Sequence, residues 1–199
     1  MGARTGRRGN ATGFSDILGD LSSKLVDIAR ELGEQDTVDY LWHTAWPDGQ
    51  NRYQATEQAA REIGVKLRSR GIVEIAEVAD AIASIKQNGA TSFIVQPSPF
   101  TYQQRVRLIE IATKNGLATI FAFPVAGREG SLIGYGPDYL HMYRRAPLYV
   151  DRIIKGMKPA DLPVEQPTKV ELVVNLKTAK LLGREIPLSL LVRADDLVE

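Results

Sequence analysis

From Phe14 to Phe123, the apolar positions of the chain switch repeatedly between the spacing of a helix and that of a strand. The strand-like segments are TVDYLWH, VKLRS, TSFIVQ and LATIFAF, and a helical pattern lies between each of them and the next. The segment TSFIVQ is almost wholly apolar, which is typical of a parallel strand that is buried on both faces. This alternation predicts βαβ units, an open parallel sheet and right-handed crossovers.

Capping residues predict where two of the helices begin. Ser15 or Asp16 is placed to cap a first helix that ends at Gly33. Thr101 and Gln104 form a capping-box pattern in front of the helix that separates TSFIVQ from LATIFAF.

The alternation of strand and helix patterns ends after Phe123. A stretch rich in glycine and proline predicts loop, short strand and crossover, and a helical pattern then runs from about Tyr139 to Lys155. Pro147 lies inside that pattern, so a kink or a break is predicted there. Alternating apolar residues from Val170 to Leu176 predict a strand, followed by a short helix and a last turn or two between Ser189 and Val198. No strand partner for Val170 to Leu176 is evident from the sequence.

Composition excludes several classes of function. The chain has 199 residues and a formal net charge of +1, which is not the charge of a protein that binds nucleic acid by neutralising phosphates. It has no cysteine, no glycine-rich phosphate loop and no G-x-S-x-G elbow. His43 and His141 lack the spacing of metal ligands, and His43 is interpreted as a surface or edge histidine. We therefore expect no catalytic residue, no metal site, no cofactor and no nucleic-acid partner.

Candidate binding residues lie in the loops that follow the predicted strands. In an open parallel sheet, ligands bind outside the carboxyl ends of the strands, and the loops there are HTAWPDGQN, PSPFTYQ and PVAGREGS. The helix that begins near Thr101 would add an anion site at its N-terminus. An alternative is that Trp46 and Phe100 only cover the end of the sheet. The candidates supply flat apolar surfaces or hydrogen-bonding groups: Thr44, Trp46, Ser98, Phe100, Gln103 and Tyr135.

Several long segments resemble the substrate-binding proteins of a bacterial ABC transporter family that includes tryptophan- and tyrosine-type binders. They are RRGNATGFSD, FIVQPSPFTYQQRVRLIEIA, GYGPD, YRRAPLYVDRIIKGMKPADLPVEQPTKVELVVNLKTAKLLG and IPLSLLVRADDLVE. The resemblance extends from about Arg8 to Glu199. It implies two α/β lobes of the type I periplasmic-binding-protein fold, with the ligand held in the cleft between them. Asp138 of GYGPD completes the candidate ligand-binding set.

The resemblance implies three parts of the chain. Residues 1–13 are expected to form a basic segment and crossover, residues 14–134 an α/β ligand-binding second lobe, and residues 135–199 the return crossover. That last part also holds the C-terminal helix, strand and helix of an incomplete first lobe. Family members carry a signal peptide and most of the first lobe ahead of the matching region, so half of the cleft is expected to be missing here.

The resemblance implies the solute-binding component of an ABC uptake transporter, without enzymatic activity. Its partners would be a small organic molecule such as an amino acid and, where a first lobe is present, the transporter permease. The location would be periplasmic by resemblance, or cytoplasmic for a chain without a signal peptide. The open alternatives are a remnant without transport activity, a homodimer formed through the 169–176 strand, and an enzyme on an α/β fold.

Overall fold

The computed structural model describes residues 10–15, 21–33, 36–167 and 169–199. Short 3-10 turns lie at Ile75–Glu77 and Pro159–Asp161. The helices and strands of the described chain are, in order, α1 (Leu21–Glu31), β1 (Thr37–His43), α2 (Gly49–Glu62), β2 (Lys66–Ile72), α3 (Val78–Gln87), β3 (Ser92–Val95), α4 (Pro99–Gln103), α5 (Arg105–Lys114), β4 (Ala118–Phe121), α6 (Pro124–Arg128), β5 (Ile133–Pro137), α7 (Tyr139–Ile154), β6 (Val170–Asn175), α8 (Leu176–Leu181), α9 (Leu188–Arg193) and β7 (Asp196–Val198).

The described strands form one seven-stranded sheet in the order β2-β1-β3-β4-β5-β6-β7. Neighbouring strands from β2 to β5 are parallel. β6 runs antiparallel to β5, because Asn175 N donates to Leu132 O over 2.9 Å while Asp138 N donates to Lys169 O over 3.1 Å. β7 is parallel to β6. The predicted α/β class with a mostly parallel sheet is confirmed.

The core lies on the central strands, where the sequence is most continuously apolar. Every residue of β3 and β4 is buried. The helices that connect the strands bury one apolar stripe each, as α3 does with Val78, Ile82 and Ile85. Full burial of one such side chain stabilises the fold by about 1.5–3 kcal/mol. The sheet and its covering helices are therefore specified mainly by this apolar pattern.

The chain divides into two compact units. The sheet unit comprises Asp20–Gly136 and Glu171–Glu199, and the α7 unit comprises Met1–Gly19 and Pro137–Val170.

In the α7 unit, residues 10–15 pair with the segment that follows α7. Ser15 N donates to Glu165 O over 2.8 Å, and the ring of Phe14 lies 5.0 Å from that of Tyr149. Arg145 donates to both carboxylate oxygens of Glu165 over 3.0 Å. The exposed side of α7 carries a groove of about 540 Å³, lined by Tyr143, Ala146, Pro147, Val150, Asp151 and Ile154.

The structure corrects the expectation that the 169–176 strand lacks a sheet. β6 lies between β5 and β7, and Val173 and Val174 are fully buried. Residues 171–199 therefore group with the sheet of residues 20–136, not with the rest of 135–199. Since both edges of β6 are hydrogen-bonded, a homodimer formed by pairing this strand with a second copy has no free edge to use.

Two local predictions also differ from the structure. A third, the helix cap at Ser15 or Asp16, involves residues 16–20, which lie outside the described residues. The capping box is formed by Ser98 and Thr101, not by Thr101 and Gln104, because Pro99 sets the first helical position. α7 continues through Pro147 without a break. Pro147 is exposed, and so is Tyr143, whose carbonyl would otherwise accept from position 147.

Candidate functional site

The strand order creates a topological switch point between β1 and β3. These two strands are neighbours, but β1 connects through α2 to β2 on one side, while β3 connects through α4 and α5 to β4 on the other. The helices leave in opposite directions and open a crevice outside the carboxyl ends of the two strands, where open α/β sheets bind ligands. His43 ends β1 at this point, and Gln96 follows β3.

Two aromatic rings stack at this switch point. The imidazole of His43 and the ring of Phe100 have centroids 4.6 Å apart and planes inclined by 21°. Both side chains are half-buried. Stacking of this kind contributes about 0.5–1.5 kcal/mol beyond the area that it buries. The pair forms a partly exposed aromatic surface with a nitrogen heterocycle on one side, suited to an apolar or aromatic ligand group.

Thr44 and Trp46 lie in the loop that follows His43. Thr44 is exposed, and its backbone N–H donates to Ile72 O over 2.9 Å. Trp46 is half-buried, and the guanidinium carbon of Arg52 lies 5.1 Å from its ring centroid. Arg52 Nε also donates to Asp48 Oδ2 over 2.7 Å. One face of the indole is thus covered by Arg52 of α2, which restrains the orientation of Trp46.

Ser98 is buried, and its side chain caps helix α4. Its Oγ accepts from Thr101 N over 3.1 Å, and Ser98 N donates to Thr101 Oγ1 over 3.0 Å. The predicted anion site near Thr101 therefore has that amide already hydrogen-bonded. Ser98 holds Phe100 in place by fixing the first turn of α4, and does not present its hydroxyl to solvent.

The other predicted residues are dispersed. Gln103 is exposed at the end of α4, and Tyr135 is half-buried in β5. A Cβ on Gly136 would lie 2.6 Å from Ala122 O, so the ends of β4 and β5 approach closely beside Tyr135.

Asp138 belongs to the α7 unit and caps α7, where its Oδ1 accepts from His141 N over 2.9 Å. Burial acts to raise the pKa of the Asp138 carboxyl. The hydrogen bond from the His141 amide and the charge of Lys169 outweigh that effect and hold the pKa below its usual range.

Sequence reasoning missed a second cluster after β3 and β4. Tyr102 meets the ring of Phe123 edge to face at 5.2 Å, and the guanidinium carbon of Arg105 lies 4.4 Å from the Tyr102 centroid. Glu129 accepts from Arg105 Nε over 2.5 Å and from Nη2 over 2.8 Å, which raises the pKa of Arg105. Tyr102 and Arg105 are distant in sequence from Phe123 and Glu129, so no spacing pattern identified the cluster. The cluster presents a neutralised cation on an exposed tyrosine.

The described residues 10–15, 21–33, 36–167 and 169–199 contain no group of three or more His, Asp or Glu side chains that could hold a metal ion. In the same part of the chain, no helix has the length and apolar character needed to cross a membrane.

The switch-point crevice and the α/β sheet define a class of ligand-binding proteins with the periplasmic-binding-protein fold. The model of the ABC transporter substrate binding protein family matches residues 8–198, so the chain belongs to that family. Members of this family are normally periplasmic or extracellular. No curated protein sequence matches the chain.

Three solved structures illustrate the shared fold. A conserved domain protein from Vibrio cholerae superposes with a TM-score of 0.83 at 21% identity, over 94% of this chain and 62% of its own. An ABC domain from Streptococcus pneumoniae, in complex with L-Trp, superposes with a TM-score of 0.82 at 19% identity, over 96% of this chain and 64% of its own. A ligand-free, open substrate-binding protein with adhesive properties from Clostridium difficile gives 0.68 at 21% identity, over 94% and 62%. The chain spans less than two thirds of these proteins.

Proposed function

We propose that the chain is the solute-binding component of an ABC uptake system and binds a small organic molecule such as an amino acid. Family membership supports a solute-binding role. The observation that carries the proposal is the stack of His43 and Phe100 at the switch point, because it offers a planar surface where this fold class takes its ligands. Recognition rests on stacking and hydrogen bonds, and no reaction is involved.

Exposed polar side chains would complete recognition. Thr44 follows His43, and its hydroxyl donates to Ile72 O over 3.3 Å, while Gln103 is exposed at the end of α4. A permease of the transporter would be the macromolecular partner. With stacking worth about 0.5–1.5 kcal/mol, contacts from the sheet unit alone would give weak binding, well short of the roughly 8 kcal/mol of a micromolar complex.

Calorimetry against the common amino acids and small organic acids tests this proposal. L-tryptophan is the first probe, because one neighbour of the same fold is bound to it. We expect saturable heat from at least one aromatic or apolar amino acid, reduced in His43→Ala. Absence of heat from every compound, with the protein folded, would contradict the proposal.

The second candidate, an enzyme on this fold, rests on no specific observation among the described residues. A third, a remnant without transport activity, predicts a folded protein that binds nothing in the same titrations. The panel therefore separates the solute-binding role from the remnant.

A further inference from the structure

Gln96 lies where the two loops that carry His43 and Phe100 meet. It is the first residue after β3 and is 0% exposed. Its backbone N–H donates to Leu41 O over 2.9 Å, which extends the pairing of β3 with β1 to the edge of the crevice. Gln96 is thus fixed by the sheet itself.

The side chain of Gln96 reaches the loop that carries His43. Its Nε2 donates to Gly49 O over 2.8 Å, and Gly49 is the first residue of α2. A Cβ on Gly49 would lie 2.7 Å from His43 O, so the start of α2 rests directly on the residue that bears the imidazole. The Gln96 amide therefore sets how far this loop stands from the end of β3.

The main chain of Gln96 holds the other loop. Its carbonyl oxygen accepts from Thr101 Oγ1 over 2.6 Å, and Thr101 is itself fully buried. Thr101 is adjacent to Phe100 and is bonded to the capping residue Ser98. One residue consequently anchors the first turn of α4 and the first turn of α2.

Space filling does not account for a glutamine at this position. Within the described residues, Gln96 Oε1 is buried and has no hydrogen-bond partner. A buried acceptor without a partner is destabilising, whereas an apolar side chain of similar size would fill the same space without that penalty. What the glutamine adds is the bond from Nε2 to the His43 loop and a side-chain hydrogen bond with Tyr40.

We propose that Gln96 is a positioning residue of the solute site, and that its two anchors hold the rings of His43 and Phe100 in stacking contact. The effect on affinity rests on the proposed function. The effect on ring geometry does not, because it is present in the protein without ligand. Sites held by buried hydrogen bonds lose precision when such a support is removed.

The test compares Gln96→Met with Thr119→Val by NMR and calorimetry. Gln96→Met keeps the volume and removes the bond to Gly49 O. Thr119→Val also removes a buried hydrogen bond, the 2.9 Å contact from Thr119 Oγ1 to Ser131 Oγ, but does so away from the crevice. We expect Gln96→Met to lose the nuclear Overhauser contacts between the two rings and to weaken the binding of L-tryptophan, the first calorimetric probe, about tenfold. Thr119→Val should keep the ring contacts and the binding affinity, while lowering the midpoint of thermal unfolding.

Unchanged ring contacts in Gln96→Met would overturn the proposal, as would equal losses of ring contacts in both variants. A wild-type protein that binds no solute would refute the proposed function and leave the ring contacts to decide the role of Gln96. If Gln96→Met does not fold, Thr101→Val takes its place, since it removes the bond to the Gln96 carbonyl together with the capping bond from Ser98 N. Persistent ring contacts in that variant would then overturn the proposal.

Discussion

Two apolar segments of similar appearance in the sequence have opposite environments in the structure. β6 lies inside the sheet, with Val173 and Val174 at 0% exposure. α7 keeps many large apolar side chains exposed, with Val150 at 55% and Ile154 at 79%. An apolar face in a sequence therefore predicts that a surface favours burial, but does not identify the element that covers it.

The difference has a physical cause in the kind of partner that each segment needs. A strand is covered when a neighbour offers a matching row of backbone groups, and both β5 and β7 do so for β6. A helix satisfies its own backbone and needs only apolar surface against its stripe. In the described part of the chain, the exposed side of α7 lacks such a cover. An exposed apolar patch of this kind is typical of an interaction surface.

The largest expected effect comes from placing a charge on each segment. Val173→Asp puts an unpaired carboxylate into the sheet and should lower the free energy of unfolding by about 4 kcal/mol or prevent folding. Val150→Asp on α7 should change it by no more than about 0.5 kcal/mol, because the side chain remains in water. Urea unfolding followed by tryptophan fluorescence measures both. Equal effects would mean that the exposed side of α7 is covered in solution.

An intermediate effect is expected at Pro147, in the interior of α7. Proline is disfavoured there by about 3 kcal/mol relative to alanine in a helix interior, and Pro147 is exposed. Pro147→Ala should therefore stabilise the α7 unit by about 1–3 kcal/mol, measured by amide hydrogen exchange on α7. Ser189→Ala, on the exposed start of α9, serves as the control that should leave α7 unchanged. Faster exchange in Pro147→Ala would contradict the assignment of an unbroken helix.

The smallest expected effect concerns acid. Burial acts to raise the pKa of Glu165, but the hydrogen bonds and charge of Arg145 hold it below the usual 4.5. A carboxyl whose pKa is lowered by folding stabilises the native state above its unfolded pKa, and this stabilisation is lost as pH falls through the folded value. The α7 unit should thus loosen below about pH 4.5, as seen in the ring signals of Phe14 and Tyr149.

Glu165→Gln should remove this acid dependence. The control is Glu57→Gln in the sheet unit, where the pKa of Glu57 is also lowered, by the hydrogen bonds from Tyr53 and Arg61. Glu57 is half-buried like Glu165, but its partner Arg61 is exposed and lies four residues along the same helix, where such ion pairs contribute little. If both variants change the acid response equally, Glu165 is not its source.

Periodicity allowed much of the fold to be predicted. β1 was predicted at its observed bounds, and the continuous apolar run at TSFIVQ identified the central strand β3. The neighbours of β6 could not be predicted, because strand pairing depends on contacts that are distant in sequence. β7 was missed because its three residues are too few to show an alternating pattern.

The site was predicted less completely than the fold. The loops after β1 and β3 were identified because the edge of a parallel sheet is predictable from its strands. The sequence predicts only an edge histidine at His43. Its role at the candidate site depends on Phe100, which stacks on it from a separate part of the chain. Ser98 was a candidate ligand residue but serves as a helix cap. Only the folded geometry shows which polar groups are already bonded.

The most direct test of the solute-binding account is a titration of the ligand into Phe100→Ala and Leu181→Ala, measured beside the wild type. Leu181 is 72% exposed in α8, which follows β6 at the sheet edge opposite the crevice, so its removal is a matched loss of apolar surface. We predict that Phe100→Ala weakens binding about tenfold or abolishes it, while Leu181→Ala binds as the wild type does. Equal affinity in the two variants, or no binding by the folded wild type, would contradict the account.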